Sequence, residues 1–233
     1  PAYLLLLDGL IKNQPRSAML LDAAAKLNTA YAGAFVQELP RSKSLNDKAL
    51  KYAAEAACLQ KKSLCQLQKS PIDELAPSLA LATKQDVAAL FTLGSVWASW
   101  IQQHSDDWNA IADLARVKMI MNRVLELDET YQQGEAHLYL GVLATLLSPA
   151  LGGQPEVGKQ HFERALVLSQ QKNLIVKVYY AKNYARGIFD RELHDKLINE
   201  VLSSDPRGSQ FTLSNILAQQ QAKTLLQSAD DYF

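Results

Sequence analysis

The chain has neither the excess of basic charge that marks nucleic-acid-binding proteins nor the long apolar runs that mark membrane-spanning ones. Its 233 residues carry 24 basic and 24 acidic side chains, and this balance gives no electrostatic reason to expect nucleic acid or an anionic membrane as a partner. Its apolar runs, such as LYLGVLATLL at 138–147, are shorter than the roughly 20 residues of a membrane-spanning helix. Glycine and proline are scarce, at 10 and 8 residues. Since Leu, Ala, Gln and Lys are frequent, the composition favours helices.

Only two cysteines occur, Cys58 and Cys65. On one continuous helix their Cα atoms would lie about 10 Å apart, because the helix rises about 1.5 Å per residue. A disulfide requires less than about 7 Å, so the two can pair only if the helix ends between them. The spacing favours two small helical residues, but it leaves the disulfide and the redox compartment open.

Apolar residues follow helical spacing along nearly the whole chain. Between Asp86 and Ile101 they cover two sides of the predicted helix, which indicates a helix packed between neighbours. Thr83 and Asp86 have the spacing of a capping box at its start. Asp106 or Asp107 is expected to cap a helix before Trp108. No stretch alternates as a strand would, so the predicted fold class is all-α.

The predicted helices are divided at regular intervals, and several of them end alike. The divisions fall near 13–15, 37–44, 61–83, 104–107, 129–133, 148–155, 170–173 and 205–209. Segments 9–15, 122–130, 163–173 and 199–208 resemble the end of the second helix of a tetratricopeptide (TPR) repeat. We therefore predict a single domain over 1–233, a stack of degenerate TPR-like helix hairpins in an α-α superhelix. An irregular insertion interrupts it at about 61–82.

One stretch comes close to a phosphate-binding loop. Gly153, Gly158 and Lys159 match G-x-x-x-x-G-K, but Gln160 stands where that motif needs Ser or Thr, and no strand precedes it. The repeat pattern offers a different explanation, in which HLYLGVLATLL and EVGKQHFERALVL form a hairpin with Gly158 at its close contact. Gly152 and Gly153 would then permit positive φ in the turn, and Pro155 would begin the second helix.

No motif for catalysis or for a resident metal or cofactor is present. The four histidines (His104, His137, His161 and His194) have no ligand spacing, although His137 and His161 lie in one predicted hairpin and could meet. The serines lack the G-x-S-x-G context. We predict no catalytic residue, no metal site and no cofactor.

Repeat geometry predicts a binding surface instead. In stacked helix pairs the first helices line a concave face that commonly binds partners, and such an apolar lining suits an apolar ligand or a partner helix. The alternative is that this face is filled and the residues are core. Trp100 either lines a pocket or packs against the insertion. The predicted lining is Leu21, Asn28, Phe91, Ser95, Trp100, Leu138, Val142, Thr145, Lys182 and Arg186.

Several stretches resemble the T component of tripartite ATP-independent periplasmic (TRAP) transporters, the TatT family. They include LSPALGGQPEVGKQHFERALVLS (147–169), ALFTLGSVWASWI (89–101) and LAQQQAKTLLQSADDYF (217–233). The resemblance extends over residues 80–233 and is looser over 1–60, where AAAKLNTAYAGAFV keeps the pattern. Residues 61–82 match nothing in it.

The resemblance implies a non-catalytic helical protein of the periplasm, often lipid-anchored through a cysteine upstream of this chain. It also implies binding to the substrate-binding P component of such a transporter, and a homo-oligomer, with a trimer expected. A hydrophobic small molecule is a further expected ligand, handed on through a groove or channel. Two other hypotheses stay open: a general protein-binding scaffold with no small-molecule ligand, and an enzyme that uses His137, His161 or the glycine loop.

Overall fold

A computed structural model describes residues 1–207 and 210–233, so part of the predicted division at 205–209 lies outside the described residues. Throughout those two ranges the regular structure is helical and no strand occurs. The all-α prediction is confirmed, and the hairpin arrangement is compatible with a TPR-like superhelix. The chain groups into two compact units, Pro1–Asp128 and Glu129–Phe233. The prediction of a single domain stays a prediction.

The first unit is built mainly from long helices. Its four longest helices pack in succession, α2 on α3, α3 on α5 and α5 on α7. Helix α3 begins at Leu39, inside the predicted division at 37–44. Pro40 lies in its first turn, where the missing N–H of proline is not needed. The helices are α1 (Ala2–Asn13), α2 (Ala18–Phe35), α3 (Leu39–Gln60), α4 (Leu75–Ala80), α5 (Val87–Gln103), α6 (Trp108–Ala112) and α7 (Leu114–Asp128).

Small residues allow the helices of the first unit to approach closely. Ala24 and Ala25 of α2 and Ala49, Ala53 and Ala57 of α3 are all buried. Helix α5 is buried almost all round, as expected for a helix apolar on two sides. A Cβ on Gly94 would lie 2.9 Å from the Met121 side chain, so α5 and α7 also meet at a small residue.

The 61–82 insertion folds as part of the first unit. It contains two single-turn 3₁₀ helices, Lys62–Leu64 and Ile72–Glu74, followed by α4. Its Leu64, Leu67, Leu75 and Leu79 are buried. These leucines hold the segment to the core although the backbone between them is irregular.

An ion pair closes the base of this segment. Lys61 Nζ lies 2.7 Å from Asp86 Oδ2, and the Thr83 N–H and hydroxyl donate to the same oxygen. The predicted capping box of Thr83 and Asp86 is therefore confirmed. Burial opposes ionisation of Asp86, but the bonds from Lys61 and Thr83 outweigh it and lower its pKa. The prediction for the next helix also holds, since the Asp107 side chain caps α6.

The second unit uses shorter helices. Helix α10 continues directly into a π-helix, Tyr180–Ala185, whose register is completed by the Arg186 N–H donating to the Ala181 carbonyl. Helix α12 packs on α10 and α11, and α9 packs on α8. The helices are α8 (Glu135–Thr145), α9 (Pro155–Leu168), α10 (Leu174–Tyr179), α11 (Arg191–Ser203), α12 (Thr212–Gln227) and α13 (Ala229–Tyr232).

The predicted hairpin of the glycine loop is present as α8 and α9. A Cβ on Gly158 would lie 2.4 Å from Thr145 Cγ2, so this position requires glycine for close packing. Pro155 begins α9, and Gly152 has φ +90°, as expected. The prediction for Gly153 was wrong: its φ is not positive, and it must be glycine because a Cβ would lie 1.8 Å from the Leu147 carbonyl oxygen. The stretch therefore forms a packed hairpin and no phosphate cradle.

Candidate functional site

An open pocket of about 660 Å³ lies in the first unit, along an outward face of α3. Leu50, Ala54 and Cys58 follow one another at intervals of four residues, so they form one stripe on the helix. They are half-buried and make an apolar floor. The turn between α1 and α2 adds Pro15 and Arg16. The volume is that of a typical small-molecule site.

A disulfide between Cys58 and Cys65 forms part of the pocket wall. Helix α3 ends at Gln60, and Lys61 is extended with φ −152°, so the chain turns back and brings the two Cα atoms to 4.1 Å. The geometric condition set by the sequence, a helix that ends between the cysteines, is met. The interpretation that the spacing favoured, two small unpaired residues on one helix, was therefore wrong. Beyond the disulfide, Gln68 and Lys69 of the insertion continue the wall.

Trp100 forms the remaining side of the pocket, and its position is determined by two contacts. Its Nε1–H donates to Asp47 Oδ1 over 2.7 Å. Its ring stacks on His104 at 4.5 Å, and His104 Nε2 lies 3.4 Å from the same Asp47 oxygen. The indole is thus held in place before any ligand arrives, which reduces the entropy lost on binding.

Charged side chains surround the apolar floor. Arg16, Lys51 and Lys69 are exposed cations at the rim, and none has an ion pair within residues 1–207 or 210–233. The rim carboxylates are Asp47, which is engaged by Trp100 and His104, and Glu55. The pocket therefore joins an apolar floor to a rim with more cations than available anions.

The structure places the other predicted lining residues of the first unit in its interior. Leu21, Asn28, Phe91 and Ser95 are buried. The Asn28 side-chain amide donates to the Ala24 carbonyl in its own helix. Only Trp100 of the predicted set borders the pocket described above. A ligand-contacting role for the buried four stays a prediction.

The predicted lining residues of the second unit are also mostly engaged in packing. Leu138 belongs to the core, and Val142 packs against it. Thr145 donates to the Gly141 carbonyl. Arg186 donates to the Leu225 carbonyl and to Ser228 Oγ, and Lys182 is exposed.

The two histidines of the glycine-loop hairpin do meet. His137 Nδ1 and His161 Nδ1 are 2.8 Å apart, and His137 Nε2 lies 3.2 Å from Glu129 Oε1. A carboxylate only accepts, so His137 donates from Nε2, and His161 then donates from Nδ1 to the free Nδ1 of His137. Arg164 binds Glu129 through two hydrogen bonds of 2.8 and 2.7 Å.

Burial and charge set the protonation states of His137 and Glu129. Burial lowers the pKa of His137, although Glu129 opposes this. The Arg164 guanidinium lowers the pKa of Glu129 to about 2. His137 is therefore neutral and Glu129 ionised near neutral pH. Among the described residues, 1–207 and 210–233, no three His, Cys, Asp or Glu side chains form a group able to hold a metal ion.

Sequence reasoning missed most of the pocket. Asp47, Lys51 and Glu55 recur on one helical face, but polar residues at this spacing are typical of any solvated helix surface. Only the disulfide and the folded insertion turn that face into a concave site. Two signals were available: Trp100, which the sequence predicted to line a pocket or to pack against the insertion, and a cysteine next to a predicted break.

Comparison with known proteins gives the identity of the chain at the level of family. The model of the family described as TRAP transporter T-component, TAtT, matches residues 1–233. The match includes 61–82, a segment in which the sequence alone showed no resemblance. No curated protein matches the chain. Since the family model covers the chain from residue 1 to residue 233, the protein belongs to the TRAP transporter T-component family.

Proposed function

We propose that this protein is a non-catalytic periplasmic accessory component of a TRAP transporter that binds the substrate-binding P component. Family membership makes it a TRAP transporter accessory component. The finer role is supported by the helical hairpin architecture, since stacked helix pairs commonly present surfaces for protein partners. The match of one family model over residues 1–233 is the observation that carries the proposal.

The disulfide supports a periplasmic location. Cys58 and Cys65 are the chain's two cysteines, and they are paired. Disulfides persist in oxidising compartments such as the periplasm and are rare in the cytosol. In the described residues, no helix is both long and apolar enough to cross a bilayer. We propose attachment through a lipid on a cysteine upstream of residue 1.

Exposed apolar side chains support a homo-oligomer, which we propose to be a trimer. Tyr3, Leu5 and Leu6 of α1 are more than half exposed, and Met19 at the start of α2 is also exposed. Burying such residues against another copy would remove apolar surface from water. Native mass spectrometry at micromolar concentration gives the number of subunits directly.

The proposed small-molecule ligand is apolar at least in part, and it binds in the pocket bordered by Trp100. The preformed indole and the stripe on α3 support this. A second function, a protein-binding scaffold with no small-molecule ligand, is favoured by a different observation. Most of the predicted concave lining, including Leu21, Phe91 and Leu138, is buried in the packed units.

Titration of the purified protein with the P component of the same transporter tests the proposed function. We expect a complex with a dissociation constant below about 100 μM, the range of transient interfaces. Failure to detect a complex at high micromolar concentrations would contradict the proposal. Mass spectra of the purified protein, recorded first under native conditions and then after denaturation, separate the two functions. A co-purifying apolar molecule supports the ligand-binding function, and a clean mass supports the scaffold.

A further inference from the structure

We propose that the pocket on α3 binds an amphipathic organic anion, with its apolar part on Trp100 and its acidic group at the rim. This inference rests on the proposed function and adds the chemical class of the ligand. It is argued from the charges and contacts of the pocket itself.

The apolar part of the ligand is defined by the floor. Leu50, Ala54 and the disulfide present carbon and sulfur surface, and Trp100 adds an aromatic wall. The pocket of about 660 Å³ is large enough for a molecule of drug size. Since the indole N–H already donates to Asp47 and one face of the ring stacks on His104, the rest of the apolar ring surface is left to contact a ligand.

The charge of the ligand is defined by the rim. Arg16, Lys51 and Lys69 come from three separate elements: the α1–α2 turn, α3 and the insertion. All three lack an ion pair in the described part of the chain. Of the two rim carboxylates, Asp47 is committed to Trp100 and His104. The rim therefore has three cations against two carboxylates, Asp47 and Glu55, and it favours an anion over a cation of the same shape.

Three probes of equal chain length separate charge from apolarity: decanoate, decanol and decyltrimethylammonium. Each is titrated into the ¹⁵N-labelled protein, and the indole N–H signal of Trp100 is followed. The Trp100→Phe variant identifies that signal among the three tryptophans of the chain. We expect saturable shifts with decanoate, and affinities at least about tenfold weaker for the other two probes. Raising the salt concentration from 20 to 500 mM should weaken decanoate binding, because the rim is exposed to solvent.

Substitutions of the rim test whether these cations carry the preference. Arg16→Gln, Lys51→Gln and Lys69→Gln should each weaken decanoate about three- to tenfold at low salt and leave decanol unchanged. Lys223→Gln is the matched control, because Lys223 is an exposed lysine of the second unit. Equal affinity for decanoate and decanol, or rim variants that bind decanoate like the unaltered protein, would overturn the inference.

The same protein preparations are titrated with the P component. A complex with the P component and no decanoate binding would contradict this inference and support the proposed function. Decanoate binding without such a complex would support the ligand class inferred for the pocket and contradict the proposed function.

Discussion

The two units differ in the side chains that lie at some of their helix contacts. In the first unit, long helices approach closely because alanines lie between them, as at Ala53 and Ala57. In the second unit, shorter helices surround large side chains, and Phe162 stacks on Tyr180 at a centroid distance of 5.4 Å. The tyrosines there donate to carboxylates, Tyr180 to Glu163 and Tyr184 to Glu156.

This difference has consequences for where a site can form. In the first unit, alanines line the contact between α2 and α3, and large side chains such as Trp97 and Met121 fill other parts of the core. The pocket lies outside this core, where a disulfide and an insertion add walls to a helix face. The second unit fills its interior with aromatic rings and hydrogen-bonds their hydroxyls. Its unusual features are in the backbone, namely the π-helix and several left-handed residues. Enlarging a buried alanine should therefore harm the first unit, and truncating a buried aromatic ring should harm the second.

The largest effect is expected from Phe162→Ala in the second unit. Phe162 is fully buried, and removing its ring leaves a cavity that should lower the free energy of unfolding by about 3–5 kcal/mol. Urea unfolding followed by circular dichroism measures the loss. Val167→Ala, on the same helix but 60% exposed, should change stability by less than about 0.5 kcal/mol. Equal effects of the two variants would contradict an aromatic core in this unit.

Removing the disulfide should have the next largest effect. The bond joins residues seven apart in sequence, so closing this short loop stabilises the fold by about 2–3 kcal/mol through the unfolded state. The Cys58→Ser, Cys65→Ser double variant should unfold at lower urea concentration, followed by tryptophan fluorescence. Dithiothreitol should shift the unaltered protein by the same amount and leave the double variant unchanged. No shift with reductant would show that the cysteines are unpaired in solution.

Enlarging the interface between helices should destabilise the first unit. Ala57 is completely buried, so Ala57→Leu inserts three carbons into a packed core and should cost about 1–3 kcal/mol. The same substitution at Ala76, which is exposed on α4, is the control. If Ala57→Leu is as stable as the control in urea, the close packing described for this unit is wrong.

A substitution in the second unit should instead stabilise it. Phe189 has φ +58° and its side chain is 71% exposed. A left-handed conformation is unfavourable for a residue with a side chain by about 1–2 kcal/mol, so Phe189→Gly should raise stability by about 1 kcal/mol. Ile188→Gly, at the preceding position without positive φ, should lower it. A loss of stability in both variants would mean that the Phe189 ring, which stacks on Tyr232, contributes more than the strain.

The smallest effect concerns pH and is expected from His137 and Glu129 of the second unit. Burial lowers the pKa of His137 in the folded state, so the unfolded chain binds the proton more readily below about pH 6.5. Stability should therefore fall as the pH drops from 6.5, and the His137→Gln variant should show a flatter slope. A further loss from Glu129, whose folded pKa is about 2, should appear as the pH falls from about 4.5 toward 2. An unchanged slope between pH 7 and 5 in the variant would contradict the neutral histidine.

Much of the fold could be predicted from local patterns. The apolar spacing of α5, the capping box at Thr83 and the N-cap at Asp107 each depend on residues within a few positions of one another. The hairpin of α8 and α9 was predictable for the same reason, because Gly158 and Pro155 have clear roles in helix packing and helix initiation. The meeting of His137 and His161 followed from that hairpin.

The site was less predictable, because its parts are distant in sequence. Trp100 and Asp47 are 53 residues apart, and nothing in either helix alone indicates their hydrogen bond. The predicted lining failed to identify Arg16, Lys51 and Lys69 because repeat register describes one face of a helix stack. It does not describe what an insertion covers or exposes.

The sequence by itself determined an all-helical chain, its main helix breaks and its family, since helical periodicity, capping and family motifs are encoded in neighbouring residues. Only the tertiary structure decided the state of Cys58 and Cys65, the burial of Leu64 and Leu67 in the insertion, and the pocket beside Trp100. These features depend on where the chain turns after α3. That turn places side chains from separate elements within a few ångströms of each other, and local sequence patterns do not predict contacts between residues that are distant in sequence.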